Sequence, residues 1–263
     1  VTACATGTQA VGEGAEIIRR GAADLVVTGG VEGLIRDYAV AGFCAMRALP
    51  TGYNDRPTKA SQPFDAKREG FVFSEGAAAL ILEELGHALG RGARIYAEVV
   101  GHASSGDAYH VAAPEPKAAG PIRAMRWALA DAGIDAAEVD YINAHGTSTP
   151  LNDSNETKAI KAVLGEHAYQ VAISSTKSMV GHAMGASGAL EAIVCAKTIY
   201  HSMIHPTINY ETPDPECDLD YVPNQARPQA VNVTMSNSFG LGGQNACLVL
   251  KRYTEARDEN YRQ

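Results

Sequence analysis

The 263-residue sequence predicts an α/β fold with helices layered on sheets. Three observations carry that prediction. Strand-like and helix-like stretches alternate along the chain. No short repeat or low-complexity tract interrupts them. The composition, 46% hydrophobic and 20% charged, is that of a globular chain long enough to bury a substantial core.

Each element follows from its own pattern. Residues 6–20 carry Val11, Ala15 and Ile18 at helical spacing, and Gly21 stops them. DLVVTGG (24–30) is a short apolar strand ending in glycines, and FVFSEGAAALILEE (71–84) reads as a buried strand pair or ribbon. IYAEVVG (95–101) is a further strand, and the proline-bearing stretch from Asp107 to Pro121 is a surface loop. Over 119–133, Ile122, Met125, Leu129 and Ala132 share one helical face. VDYINAHGTSTP (139–150) runs from a strand into a polar loop; Asp153 and Glu156 then form a cap-like start to a helix that Gly165 ends. VAISSTKS (171–178) is a strand leading into a loop, and 186–200 a helix with Leu190, Ile193 and Val194 inward. Residues 231–250 make two strands joined by a glycine-rich hairpin, and the chain closes on a charged, frayed tail.

The bulk properties exclude several classes. A net charge of -8 argues against a nucleic-acid partner, because phosphate binding needs clustered Lys and Arg. No apolar run reaches the length of a membrane span, and the first residues lack a signal-peptide pattern. The five cysteines have no paired spacing, which points to reduced thiols in a cytosol-like compartment. With no CxxC or HxxxH cluster, no metal site is expected.

Four stretches could carry chemistry. In VTACATG, Cys4 sits at the lip of a helix among small residues. Unpaired N–H groups and the helix dipole there are expected to lower the thiol pKa and make it a nucleophile. In NAHGTSTP (143–150), His145 ends a strand, where α/β folds display reactive groups. Thr147, Ser148 and Thr149 beside it suit hydrogen bonds to an amide-bearing ligand. In SSTKSMVGHAMGASG, Lys177 stands near His182; a like charge keeps an imidazole neutral and able to donate a hydrogen bond to a developing oxyanion. In SNSFGLGGQN, Gly240, Gly242 and Gly243 permit a tight turn whose N–H groups could form an oxyanion hole. One cysteine and two loop histidines together suggest thiol-based acyl transfer.

The motifs TACATG, NAHGTSTP, TKSMVGHAMGASGALE and SNSFGLGGQN, in that order, resemble those of the elongating β-ketoacyl-[acyl carrier protein] synthases. SQPFDAKREGFVFSEGAAALILEE and the HPTIN…CDLDYVP region extend the resemblance over almost the whole chain. It implies a thiolase-like fold, two similar halves stacked as five α-β-α-β-α layers and working as a homodimer in the cytoplasm. Cys4 matches the nucleophile that takes an acyl chain from the phosphopantetheine arm of acyl carrier protein. His145 and His182 match the pair that assists decarboxylation of the malonyl-loaded carrier and stabilises the enolate. The N–H groups of Cys4 and Leu241 match the oxyanion hole, Thr147 and Thr149 the pantetheine contacts, and Lys177 and Glu191 the positions that set the field around His182. Asp153 and Glu156 join Glu191 as supporting candidates. No bound cofactor is implied, since the substrates arrive on the carrier.

Two departures from the family stand out. The motif usually reads SFGFGG, with a second aromatic gating the acyl pocket; here Phe239 is kept and Leu241 replaces the other ring. The family also has a long segment upstream of the nucleophile, so the chain is expected to be the later part of the fold, with exposed sheet edges. Residues 1–92 are then the remainder of the N-terminal half, 93–254 the C-terminal half and 255–263 the charged tail. A polyketide ketosynthase is the nearest alternative, though those usually place serines after the cysteine. A catalytically inert chain-length-factor-like partner is the other; such partners generally lack the cysteine.

Overall fold

Helix α1 (Thr6–Arg19) forms because Val11 and Ala15, one turn apart, bury one stripe, and it stops where Gly21 takes a left-handed turn. The computed structural model of the chain describes residues 1–254; the expected charged tail, 255–263, lies outside the described residues. After α1 the chain makes β1 (Leu25–Glu32) and, beyond α2 (Asp37–Ala45), β2 (Gly76–Glu83). These pair antiparallel from Leu25↔Glu83 to Glu32↔Gly76. The expected strand pair over 71–84 is therefore one strand, and it is not buried. Residues 71–75 are irregular, and Phe73 instead bridges to His182. The outer face of this strand pair leaves Val27, Val31 and Ile81 more than half exposed.

A short helix α3 (Leu85–Gly90), capped by the Glu84 carboxylate accepting from His87 N–H, leads to β3 (Glu98–Gly106). This strand lies several residues later than the apolar run IYAEVVG suggests. Helix α4 (Ala119–Ala132) follows the expected loop, with Met125 and Leu129 buried and Ile122 and Ala132 packed beside them. Then come β4 (Tyr141–Asn143), α5 (Pro150–Leu164), β5 (Ala172–Ser174), α6 (Lys177–Val180) and α7 (Met184–His201). A small pair, β6 (Met203–Ile204) and β7 (Arg227–Pro228), precedes the final hairpin of β8 (Val233–Gly240) and β9 (Gln244–Lys251).

The main sheet has the order β3-β9-β8-β4-β5. β4 runs parallel to both neighbours, while β9 is antiparallel to β3 and β8. α4 and α5 cover one face. α1 and α7 cover the other and pack in turn on the β1–β2 pair, giving an α-β-α-β succession of layers.

Two expectations about helices need correction. α5 starts at Pro150, a residue suited to the first turn, so Asp153 and Glu156 lie inside it. Both carboxylates are buried and bond other segments rather than capping their own helix. In α7 the buried stripe is Ala186, Ala189, Ala192, Cys195 and Ile199, while Leu190, Ile193 and Val194 are half-buried. The reason is α1. Its backbone passes so near α7 that a methyl group on Gly7 would stand 2.5 Å from Ala189 N, and only small side chains fit the seam.

Candidate active site

Cys4 sits in a tight turn, Ala3–Ala5, just ahead of α1. Ala3 holds φ +49°, a left-handed conformation that an alanine adopts at a cost of about 1 kcal/mol or more. That bend presents the thiol at the junction of the layers. Gly240 keeps the approach open, since a Cβ there would meet Thr2 O at 3.0 Å and Cys4 N at 3.2 Å.

His182 reaches the thiol from the loop before α7, which is anchored by His182 N–H donating to Val72 O at 2.7 Å. Its Nε2 lies 3.1 Å from Cys4 Sγ and its Nδ1 3.0 Å from Ser187 Oγ. With Nδ1–H donated to Ser187, Nε2 is placed to accept the thiol proton. His145 arrives at the end of β4, its ring centroid 5.4 Å from that of His182 and edge-on to it. Phe71 packs edge-on to His182 and Phe239 to His145.

The electrostatics follow from burial. Cys4, His145 and His182 are each no more than 5% exposed. Desolvation pushes the Cys4 thiol up to about 11. The Leu241 and Cys4 backbone N–H groups and the Lys177 charge pull the other way without overcoming it. The expected lowering at the helix lip is thus reversed, because removal of water outweighs one turn's dipoles. Burial and then the Lys177 charge hold both imidazoles well below the usual histidine value, His145 also through its neighbour His182. Both rings are therefore neutral. Lys177 is itself buried and paired with Glu191, whose carboxyl burial raises even against that ion pair.

Glu156 has a role that spacing does not reveal. From within α5 its carboxylate accepts from His145 N–H and Gly146 N–H, each at 2.8 Å, and from Asn237 Nδ2 at 3.2 Å. It fixes the backbone that carries His145. Asp153 accepts from Phe64 N–H at 2.8 Å and faces the Arg68 guanidinium at 3.7 Å. Thr147 and Thr149 join hydroxyl to hydroxyl at 2.9 Å. With Phe239 and Leu241 they line a cavity of about 450 Å³ that opens onto Cys4, His145 and His182.

The structure thus brings together Cys4, His145, His182, Thr147, Thr149, Phe239 and Leu241 at one cavity, with Lys177 and Glu191 behind it and Glu156 and Asp153 bracing its wall. Sequence reasoning missed Met184, whose Sδ lies 3.8 Å from Cys4 Sγ, and Ser187. The only signal for either is position, two and five residues after His182. Absence of CxxC spacing also says nothing about long-range clusters. Among the described residues, Cys4, His145 and His182 form a group whose donor atoms lie within 4.8 Å of one another, a donor set of the kind zinc takes. The Lys177 charge that lowers both imidazoles opposes a divalent ion there.

Comparison with known proteins agrees with this geometry. The family model "Beta-ketoacyl synthase, N-terminal domain" matches residues 1–88, and "Beta-ketoacyl synthase, C-terminal domain" matches residues 96–211. The chain is 53% identical over 253 residues to the 3-oxoacyl-[acyl-carrier-protein] synthase 2 of a Synechocystis species, covering 96% of this chain and 61% of that protein. It is 54% identical to the protein of that name from Staphylococcus aureus, with the same coverage. Among solved structures, a type II polyketide ketosynthase in complex with its acyl-carrier protein superposes with a TM-score of 0.94 at 42% identity, over 96% of this chain and 62% of that one. A β-ketoacyl synthase from Burkholderia phymatum gives 0.91 at 43%, over 96% and 60%. The chain therefore spans about three fifths of the length of these relatives, and its fold is thiolase-like.

Proposed function

Because the chain belongs to the β-ketoacyl synthase family, we propose that its protein is an elongating condensing enzyme of fatty acid synthesis, which joins a malonyl unit to an acyl group held on Cys4. The observation that carries this reading is the 3.1 Å contact between Cys4 Sγ and the neutral His182 Nε2, with a second neutral imidazole alongside. A thiol near 11 is inert until a base takes its proton, and His182 is that base.

In the first half-reaction the Cys4 sulfur attacks the thioester carbonyl of an acyl carrier protein. The C–S bond to the phosphopantetheine breaks, and that thiol leaves with the proton taken by His182. The N–H groups of Cys4 and Leu241, which already favour negative charge on this sulfur, are placed to hold the oxyanion. In the second half-reaction a malonyl thioester loses carbon dioxide. The neutral imidazoles of His145 and His182 donate to the enolate oxygen; with Cys4 acylated, His182 carries its proton on Nε2 while Nδ1 accepts from the Ser187 hydroxyl. The enolate carbon attacks the acyl-Cys4 carbonyl, a C–C bond forms, and the Cys4 sulfur departs as a thiolate that takes one proton from solvent, replacing the negative charge of the carboxylate lost as carbon dioxide. The product is longer by two carbons and carries a 3-oxo group on the carrier. The paired hydroxyls of Thr147 and Thr149 suit the pantetheine amides.

The same reading makes acyl carrier protein the partner, in line with the polyketide ketosynthase solved with its own carrier protein. It includes a homodimer in the cytoplasm, with no resident cofactor. Identity of 53% to a 3-oxoacyl synthase against 42% to a polyketide ketosynthase favours fatty acid synthesis over the polyketide alternative. The test is the intact mass of the native protein after incubation with an acyl-loaded carrier. One acyl adduct, absent from Cys4→Ala, is expected. A folded wild type that takes no acyl group overturns the reading.

A further inference from the structure

The HPTIN segment contributes a histidine that the mechanism above does not use. His205 follows β6, and its ring is hydrogen-bonded on every polar side. Nδ1 lies 3.0 Å from Pro206 O, so the ring donates there and Nε2 is left as an acceptor. That Nε2 lies 3.0 Å from Thr176 Oγ1 and 3.1 Å from Tyr141 OH, with Asn143 Nδ2 and Ser174 Oγ each at 3.4 Å. Asn143 Nδ2 donates to Thr176 Oγ1 at 2.8 Å and to Tyr141 OH at 3.1 Å, which leaves those hydroxyl protons available for Nε2 or for Ser174. Burial keeps the ring below the usual histidine value, consistent with a neutral acceptor.

Position gives this cluster its meaning. Tyr141 and Asn143 belong to β4 and Ser174 to β5, side by side in the sheet. Two residues after Asn143 the chain delivers His145, and immediately after Thr176 it delivers Lys177. We propose that His205 is a positioning residue for the condensing reaction, one imidazole that ties the ends of β4 and β5 together where His145 and Lys177 leave the sheet. This rests on the function proposed above. Cys4 and His182 are held by other elements, the turn before α1 and the loop bonded to Val72 O, so the two half-reactions depend on His205 unequally.

The experiment measures both half-reactions on the native full-length protein: acylation of Cys4 by an acyl-loaded carrier, and decarboxylation of the malonyl-loaded carrier by acylated enzyme. In His205→Ala the second rate is expected to fall about tenfold or more, because small misplacements of reacting groups cost that much, while acylation stays within about twofold. His205→Gln, whose amide offers both an acceptor and a donor, restores most of the loss. Thr176→Val removes the far end of the strongest contact and reproduces the split, and the double variant His205→Ala/Thr176→Val is no worse than the poorer single. Should His205→Ala not fold, Thr176→Val decides by the same split. Equal loss of both rates in step with the melting temperature makes His205 merely structural and overturns the proposal, as does no change in either rate. A wild type that neither acylates nor decarboxylates overturns the enzymatic reading, and the positioning role with it, before any variant is compared.

Discussion

Cys4 Sγ and His182 Nε2 meet at 3.1 Å across 178 residues of sequence, and they meet as a protonated thiol and a neutral ring. The pair is poised, not ionised. A thiolate–imidazolium pair would need the imidazole to gain what burial and Lys177 both oppose.

Alkylation by iodoacetamide reads this directly. With the thiol held up to about 11, its reactive thiolate is scarce at neutral pH. The alkylation rate of Cys4, followed by mass, should climb about tenfold per pH unit from pH 7 to 10. A flat profile through neutral pH would show a preformed ion pair and contradict this assignment.

Lys177 sets the acid limit of activity. After burial, its charge is the next cause that lowers each imidazole, so both stay neutral as pH falls. Lys177→Met lets both values rise, and the acid limb of malonyl decarboxylation should move to higher pH. Lys177→Arg keeps the charge and should keep the limb in place. Lys177→Met also strands the buried Glu191 carboxyl, a loss of roughly 3–5 kcal/mol in chemical denaturation. Adding Glu191→Gln to it should recover part of that loss.

Much of this site was legible in the sequence, and the remainder fails for physical reasons. Cys4, His145 and His182 stand out because each follows a predicted strand or precedes a predicted helix inside a run of small residues, and small residues mark places where backbone and ligand come close. The thiol's raised pKa could not be read there, since burial is a tertiary property. α2 goes unassigned because DYAVAGFCA has no polar face to give it a period, and its N-cap Arg36 makes no side-chain cap bond. Glu156 looks like a cap because Asp153 and Glu156 have capping spacing; only the fold shows that Thr149 precedes the helix and that Glu156 serves His145. Leu190, Ile193 and Val194 make the better apolar stripe by composition, yet the close approach of α1 selects the alanine face.

Glu156 should leave a mark on the pH dependence of stability. Its carboxyl is raised from 4.5 to about 7 by burial, against the pull of the Gly146 and His145 N–H groups. The folded chain therefore holds a proton that the unfolded chain has released between those values, and stability falls as pH rises through that window. The contribution is present below the unfolded value and amounts to roughly 3 kcal/mol. Glu156→Gln cannot titrate and satisfies only one of the two N–H groups, so it should be less stable at pH 5, with the gap to wild type narrowing toward pH 8. A constant gap in urea midpoints across that range would contradict the raised value.

The seam between α1 and α7 holds the thiol and the imidazole in register, and glycine is what lets it close. A Cβ at Gly188 would lie 2.1 Å from Thr8 Oγ1 and 2.5 Å from Thr8 N, and one at Gly7 would lie 2.5 Å from Ala189 N and 2.9 Å from Gly185 O. Backbone atoms cannot swing aside as a flexible side chain can, so the helices must separate. Gly188→Ala and Gly7→Ala should each cost about 1–3 kcal/mol, more than the helix propensity that alanine adds. Parting the helices also moves Cys4 away from His182, because one leads into α1 and the other into α7. Acylation of Cys4 should therefore fall in the fraction that remains folded. Gly90→Ala, in open space at the end of α3, is the control and should leave both stability and acylation unchanged within about 0.5 kcal/mol.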